Sequence, residues 1–172
     1  DNVTREDLMY RSGQLHITGS IPQEKIDSYK TLYPDELKIF PYYGTYYYRI
    51  NVNKPPLNEE KVRDALSLSL DRKEIVEKVA KGGQEPAFSF TPPDKNGYYP
   101  KSTLDFDPEK AKSILEDLGY SDTNPFPSIE LLYNTSEGHQ KIAQAIQQMW
   151  KMNLGIDIEL TKDTTQPPTL LM

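Results

Sequence analysis

The 172-residue chain contains no cysteine, only two histidines and a single tryptophan. The missing thiols exclude disulfides, thiolate zinc sites and a cysteine nucleophile. His16 and His139 have no H-x-x-x-H or H-x-E neighbour, so no metal-ligand spacing is present and no cofactor is expected. Long apolar runs are missing too, since none approaches the ~20 residues that a membrane-spanning helix needs. Concentrated positive charge is absent: the net charge is −6, and the 20 Lys and Arg are scattered among 26 acidic residues. A phosphate backbone needs a basic face, so nucleic acid is not an expected partner. The glycines never fall as GxGxxG or GxxxxGK[ST], and Gly82-Gly83 closes a helix instead of opening one, which removes a nucleotide loop. Ser136 and His139 stand close in sequence but lack the G-x-S-x-G context of a hydrolase, and Ser136 reads better as a helix cap. The acidic pair Glu59-Glu60 lies at a helix N-terminus, where the helix dipole accounts for it. No catalytic constellation remains, and the chain is not expected to be an enzyme.

What the chain does have is 36% hydrophobic residues, enough for the core of one sizeable domain, with an excess of tyrosine (12) and proline (14). Tyrosine offers rigid contact area with a polar tip, which suits a recognition surface and equally a partly wet core. Thr4 is expected to cap a first helix that Gly13 ends, and "QLHIT" (14–18) reads as a short strand. Pro22 opens a second helix with Ile26 and Tyr29 inward. "LKIF" (37–40) is read as a strand, and "GTYYYRINV" (44–52) as the clearest one, with Tyr46, Tyr48, Ile50 and Val52 alternating on one face. Pro55 and Pro56 end it. Asn58 is expected to cap a helix over 59–70, and Asp71 with Glu74 restarts one over 72–81. Residues 84–106 form a long irregular segment rich in Pro, Gly and aromatics. Asp107-Pro108 starts a helix closed by Gly119, "SIELLYN" is a strand, and Ser136 caps a long helix through Asn153 carrying Ile142, Ala143, Ile146, Met149 and Trp150 on one stripe. "GIDIEL" alternates as a last strand, and 161–172 reads as a frayed tail. Interleaved helices and strands make the class α/β, a mixed α+β arrangement with a central mixed sheet flanked by helices.

"GTYYYRINVNKPPLNEEKVRDALSLSLDRKEIVEKV" (44–79) resembles the family 5 extracellular solute-binding proteins, and within them the oligopeptide-binding proteins of ABC importers. The resemblance continues through "PAFSFTPP" (86–93), "DPEKAKSILEDLGY" (107–120) and "IELLYNTSEGHQKIAQAIQQMWKMNLGIDIEL" (129–160). "YRSGQLHIT" (10–18) resembles the family's Y-x-S-G-E-[IL]-D stretch, with Gln14 and His16 in place of the usual acids. The resemblance implies a lobe of the periplasmic-binding-protein type II kind, outside the cytoplasm at the cell envelope, that binds extended oligopeptides through their backbone without catalysis. It places His139 near the ligand's C-terminal carboxylate, and Thr18, Gly19 and Ser20 on the lobe edge that runs beside the peptide. Lys81 stands next to the position, here Ala80, where some members carry a carboxylate-binding lysine. The implied partners are oligopeptides, the membrane permease of an ABC transporter and a second lobe of the same protein.

The sequence departs from the family in one respect that matters. The G-W-x-x-D-Y motif, whose acidic residue anchors the peptide's amino group, does not occur in these residues, and the likeness is expected to stop after Leu160. Residues 1–160 are therefore expected to form a single lobe of a larger two-lobed protein, binding peptide weakly if at all on its own. Such a lobe would expose apolar surface on which it could self-associate. The alternatives left open are a stand-alone interaction or regulatory domain reusing the fold, and a family member that binds dipeptides or nickel chelates.

Overall fold

The structure, a computed structural model, describes residues 3–40, 42–93, 97–101, 103–163 and 169–171. Among the described residues six helices and four strands are interspersed: α1 (Val3–Arg11), α2 (Ile26–Leu32), β1 (Arg49–Ile50), α3 (Glu60–Leu68), α4 (Arg72–Glu74), α5 (Pro108–Asp117), β2 (Ile129–Tyr133), α6 (Glu137–Leu154), β3 (Ile158–Lys162) and β4 (Thr169–Leu171). A 3₁₀ turn, Gln23–Lys25, leads into α2, and α4 runs on as a π-helical turn over Ile75–Ala80. The strand order is β1-β4-β2-β3. Strand β2 is parallel to β3, β1 is parallel to β4, and β2 is antiparallel to β4. The sheet is thus mixed, as expected.

The helices lie where apolar spacing puts them. Val62, Ala65 and Leu66 of α3, Ala111 and Leu115 of α5, and Ala143, Ile146 and Trp150 of α6 enter one core with Ile129 and Leu131 of β2 and Ile158 of β3. Helix α3 packs on α5, α5 on α6, and α6 on β2 and β3. Two expected caps form: Asp71 Oδ1 accepts from the Glu74 N–H at 2.9 Å, and Asp107 Oδ1 from the Lys110 N–H at 3.0 Å. Two others do not. Helix α1 already includes Thr4, and α3 starts at Glu60 with Glu59 in the cap position and no side-chain bond. The guanidinium of Arg63 fastens the turn before α3 to the helix, donating to the carbonyls of Leu57 and Asn58 at 3.0 Å each. Helix α6 stops at Gly155, whose φ of 69° lets its N–H turn back to the Lys151 carbonyl at 3.1 Å.

The strands depart further from expectation. Residues 14–18 and 37–40 are not strands, and the pairing in 44–52 is confined to Arg49 and Ile50. A strand needs a neighbour for its N–H and C=O groups, and among the described residues β1 finds one only in β4. The frayed tail expected over 161–172 is also corrected. Thr161 and Lys162 belong to β3, and residues 169–171 form β4, inserted between β1 and β2, with Leu170 opposite both Ile50 and Leu131. Residues 164–168 and 172 lie outside the described residues.

Helices α1 and α2 form a smaller unit held by a polar centre. Asp7 is only 2% exposed; its carboxylate pairs with the Lys25 ammonium and accepts from the Tyr29 hydroxyl at 2.7 Å. Burial alone would raise the Asp7 carboxyl, but the hydrogen bonds from Lys25 and Tyr29 and the charge of Lys25 outweigh it and hold the group below its usual value. Burial first, then the bond to Asp7, push the Tyr29 phenol up to about 12.

Candidate functional site

His139 is the third residue of α6, and its orientation follows from the turn before it. Asn134 leaves the end of β2, and its Oδ1 accepts the backbone N–H of Ser136 at 3.0 Å. The Ser136 side chain makes no capping bond, so the expected cap does not form; Asn134 instead holds the N–H of Ser136 itself in a local Asx turn. The same Oδ1 lies 2.7 Å from His139 Nδ1. The half-buried imidazole stacks, tilted by 36°, on the ring of Tyr46 with centroids 4.8 Å apart. Tyr46 in turn meets Tyr48 edge-on at 5.6 Å and donates its hydroxyl to Tyr48 at 3.3 Å. Burial pushes His139 below the ordinary imidazole value. Burial, reinforced by the bond to Tyr48, pushes the Tyr46 phenol up strongly, and burial raises Tyr48 as well. At neutral pH the cluster is therefore uncharged, an aromatic floor with one imidazole edge.

The other residues singled out in the sequence sit apart from it. Thr18 is half-buried, and Gly19 and Ser20 are exposed on an irregular loop. No hydrogen bond joins the backbone of 17–20 to another described residue. Lys81 ends the π-helical turn in a left-handed conformation, φ 57°. Its ammonium bonds Asp27 Oδ2 at 2.9 Å and its carbonyl accepts from Lys30 at 3.2 Å, which ties α2 to the end of α4. The Lys81 hydrogen bond and charge hold the Asp27 carboxyl below its usual value. Lys81 lines a shallow depression of about 400 Å³ with Gln23, Lys141 and Gln144. Gln23 lies close enough to the backbone of Gly138 that a Cβ there would stand 3.0 Å from its amide nitrogen. His16 borders a different hollow, about 510 Å³, with Tyr10, Tyr29 and Tyr33. The structure thus sets His139 with Tyr46 and Tyr48, and leaves Lys81 and 18–20 outside that cluster.

Other aromatic rings are exposed outside the cluster. Tyr47 packs edge-on against Phe90 at 4.9 Å, and the Tyr43 hydroxyl donates to the Pro93 carbonyl at 3.3 Å. Phe40, Tyr42, Phe90 and Tyr99 are largely exposed, Tyr42 by 91%. Among the described residues no group of three or more His, Asp or Glu could hold a metal ion, and no helix is long and apolar enough to cross a membrane.

Residues 1–168 match the family described as bacterial extracellular solute-binding proteins, family 5 Middle. The chain belongs to that family. The match runs past Leu160, where the likeness was expected to stop. Among relatives of this family 5 chain, the periplasmic oligopeptide-binding protein OppA of Escherichia coli is 42% identical over 158 residues, covering 88% of the chain and 29% of the relative. The solved murein tripeptide-binding protein MppA of Escherichia coli superposes with a TM-score of 0.82 at 37% identity, over 92% of this chain and 32% of that one. Haemophilus influenzae OppA, solved in complex with the peptide RPPGFSPFR, gives 0.78 at 30% identity, over 98% and 37%. These neighbours establish the type II binding-protein fold for the mixed sheet and its helices. The chain spans about a third or less of the length of the relatives it matches. The family is one of solute-binding proteins, not of enzymes.

The sequence sets Tyr46 and Tyr48 on one strand face without marking them, or Asn134, as site residues. Asn134 does carry a signal, an Asx residue two positions before a helix cap. The stacking of Tyr46 on His139 depends on how a distant segment crosses α6, and nothing local announces it.

Proposed function

We propose that this family 5 chain is a peptide-binding lobe, residues 1–160 with the strand at 169–171 completing its sheet, within a longer periplasmic or extracellular binding protein that delivers oligopeptides to an ABC permease. The observation that carries the reading is the open imidazole edge of His139 on its aromatic floor at the start of α6. A ligand's C-terminal end can meet that edge and, beside it, the first N–H groups of the helix. The backbone of 17–20, which pairs with no other described residue, can accept an extended peptide as an added strand, which would set Thr18, Gly19 and Ser20 on the peptide's flank. Lys81 joins the set by exchanging Asp27 for a ligand carboxylate. Relatives named for oligopeptide and murein peptide binding support this class of ligand.

A lobe that offers one wall of a cleft binds weakly. Amide NMR spectra titrated with tri- to pentapeptides are expected to show millimolar affinity, with shifts centred on 17–20, 46–48 and 134–140 and lost in His139→Ala. Shifts centred elsewhere, or retained in that variant, would remove His139 from the site. The exposed rings of Phe40, Tyr42, Phe90 and Tyr99 are apolar surface that a second lobe would cover in the longer protein and that a second copy can cover here. Sedimentation velocity is expected to show a concentration-dependent dimer that Tyr42→Ser with Phe90→Ser disperses. A monomer at the highest attainable concentration would count against such a surface.

A further inference from the structure

The hydrogen bonds of Asn134 decide which nitrogen of His139 carries the proton. A backbone N–H can only donate, so the Asn134 atom facing Ser136 N is the carbonyl oxygen and not the amide nitrogen. That same oxygen is 2.7 Å from His139 Nδ1, and an oxygen that only accepts requires a proton on Nδ1. In the neutral ring Nε2 is then left with a bare lone pair. The single buried side-chain N or O atom without a partner among the described residues is Gln23 Oε1. His139 Nε2 has no described hydrogen-bond partner either, so it is not buried and meets solvent. Among the described residues the ring stacks on Tyr46, with Tyr48 behind it, and is hydrogen-bonded to Asn134. None of them is charged at neutral pH, and burial is the one cause that shifts the imidazole.

We propose that Asn134 is a positioning residue that locks His139 as the Nδ1–H tautomer, presenting Nε2 as a hydrogen-bond acceptor while the ring is neutral and as a donor only once the ring is protonated. This rests on the reading of His139 as a ligand contact and names what that contact selects. A neutral ring accepts from a ligand N–H, such as a peptide amide or a C-terminal carboxamide, and repels a carboxylate lone pair. A protonated ring reverses the preference. Binding a C-terminal carboxylate therefore takes up a proton at His139. Its affinity falls by up to about tenfold per pH unit above the titration of the free ring, whereas a carboxamide shows no such fall.

The test uses long-range ¹H–¹⁵N spectra of the whole chain, with the His139 signals assigned by their loss in His139→Gln and so separated from His16. The expected result is a protonated Nδ1 and a bare Nε2 at neutral pH, with tautomers mixing in Asn134→Ala. Asn134→Asp, which keeps the acceptor, is expected to restore the lock and raise the pH midpoint of the ring. A merely structural asparagine would leave the tautomer unchanged in Asn134→Ala. That result, or an Nε2–H ring in the unmodified chain, overturns the inference. Trialanine and its C-terminal carboxamide are then titrated across the His139 midpoint. If neither moves the His139 signals, the reading of His139 as a ligand contact fails, whereas the tautomer result stands or falls on the nitrogen spectra alone.

Discussion

Replacing Trp150 with alanine is expected to destabilise the fold by about 3–5 kcal/mol, the range for emptying a large aromatic site in a core. Trp150 is 4% exposed and sits among the residues contributed by α3, α5, β2 and β3. Its Nε1–H donates to the Leu66 carbonyl at 2.9 Å, and Asn153, one turn on, donates to the Ser69 carbonyl at 2.8 Å. Helix α6 therefore satisfies carbonyls at the end of α3 that its own ladder leaves open. Trp150→Phe keeps the bulk of the packing and removes that bond, and is expected to lose about 1–2 kcal/mol. Urea denaturation followed by far-UV circular dichroism separates the two variants, since the chain's one tryptophan is gone in both. A loss below ~1 kcal/mol in Trp150→Ala would mean that the core does not close around this ring.

The second large effect is expected at Asp7. Asp7→Asn removes the charge that holds Lys25 and weakens the acceptor for Tyr29, and hydrogen bonds to charged groups contribute about 1.5–3 kcal/mol. Because α1 lies outside the main core cluster, the loss is local. Amide exchange in α1 is expected to speed up by about thirtyfold, the equivalent of ~2 kcal/mol, while α6 exchanges as before. The pH dependence has a definite sign. The folded Asp7 carboxyl is depressed, so its contribution is complete above the unfolded carboxylate value and is lost as pH falls through and below 3.8. Tyr29 acts at the other end: its phenol is raised from 10.0 to about 12, so its contribution is present below 10 and lost as pH climbs through that window. In Asp7→Asn the acid limb disappears and the alkaline limb shrinks. Unchanged exchange in α1 across these variants would show that apolar contacts alone dock it.

Helices and strands differ in how far local sequence specifies them, and this chain shows the reason. The stripe Val62, Ala65, Leu66 and the stripe Ala143, Ile146, Trp150 fix their own faces, because a helix closes its hydrogen bonds within itself. Asp71 and Asp107 cap as expected because a cap acts over three residues. Residues 14–18 and 37–40 have strand-like composition and find no ladder among the described residues. Thr169–Leu171 has no periodicity and pairs on both sides. Strand formation depends on neighbours remote in sequence, and composition carries little of that information. The site divides in the same way. His139 was reached through resemblance to the family, and Asn134 is within local reach of it. Tyr46 meets the imidazole only because the chain before β1 crosses the start of α6.

Helix α6 carries His139 in its first turn and Trp150 and Asn153 near its far end. Eleven residues at 1.5 Å each set the imidazole about 16 Å from the indole along one rigid axis. A tilt of only ~5° about the Trp150 end would swing His139 by roughly 1.4 Å, about half the length of a hydrogen bond. The helix is in this sense a lever whose fulcrum is the hydrophobic core. Substitutions such as Trp150→Phe, made far from any ligand and tolerated by the fold, can therefore re-aim the one imidazole edge that the site presents.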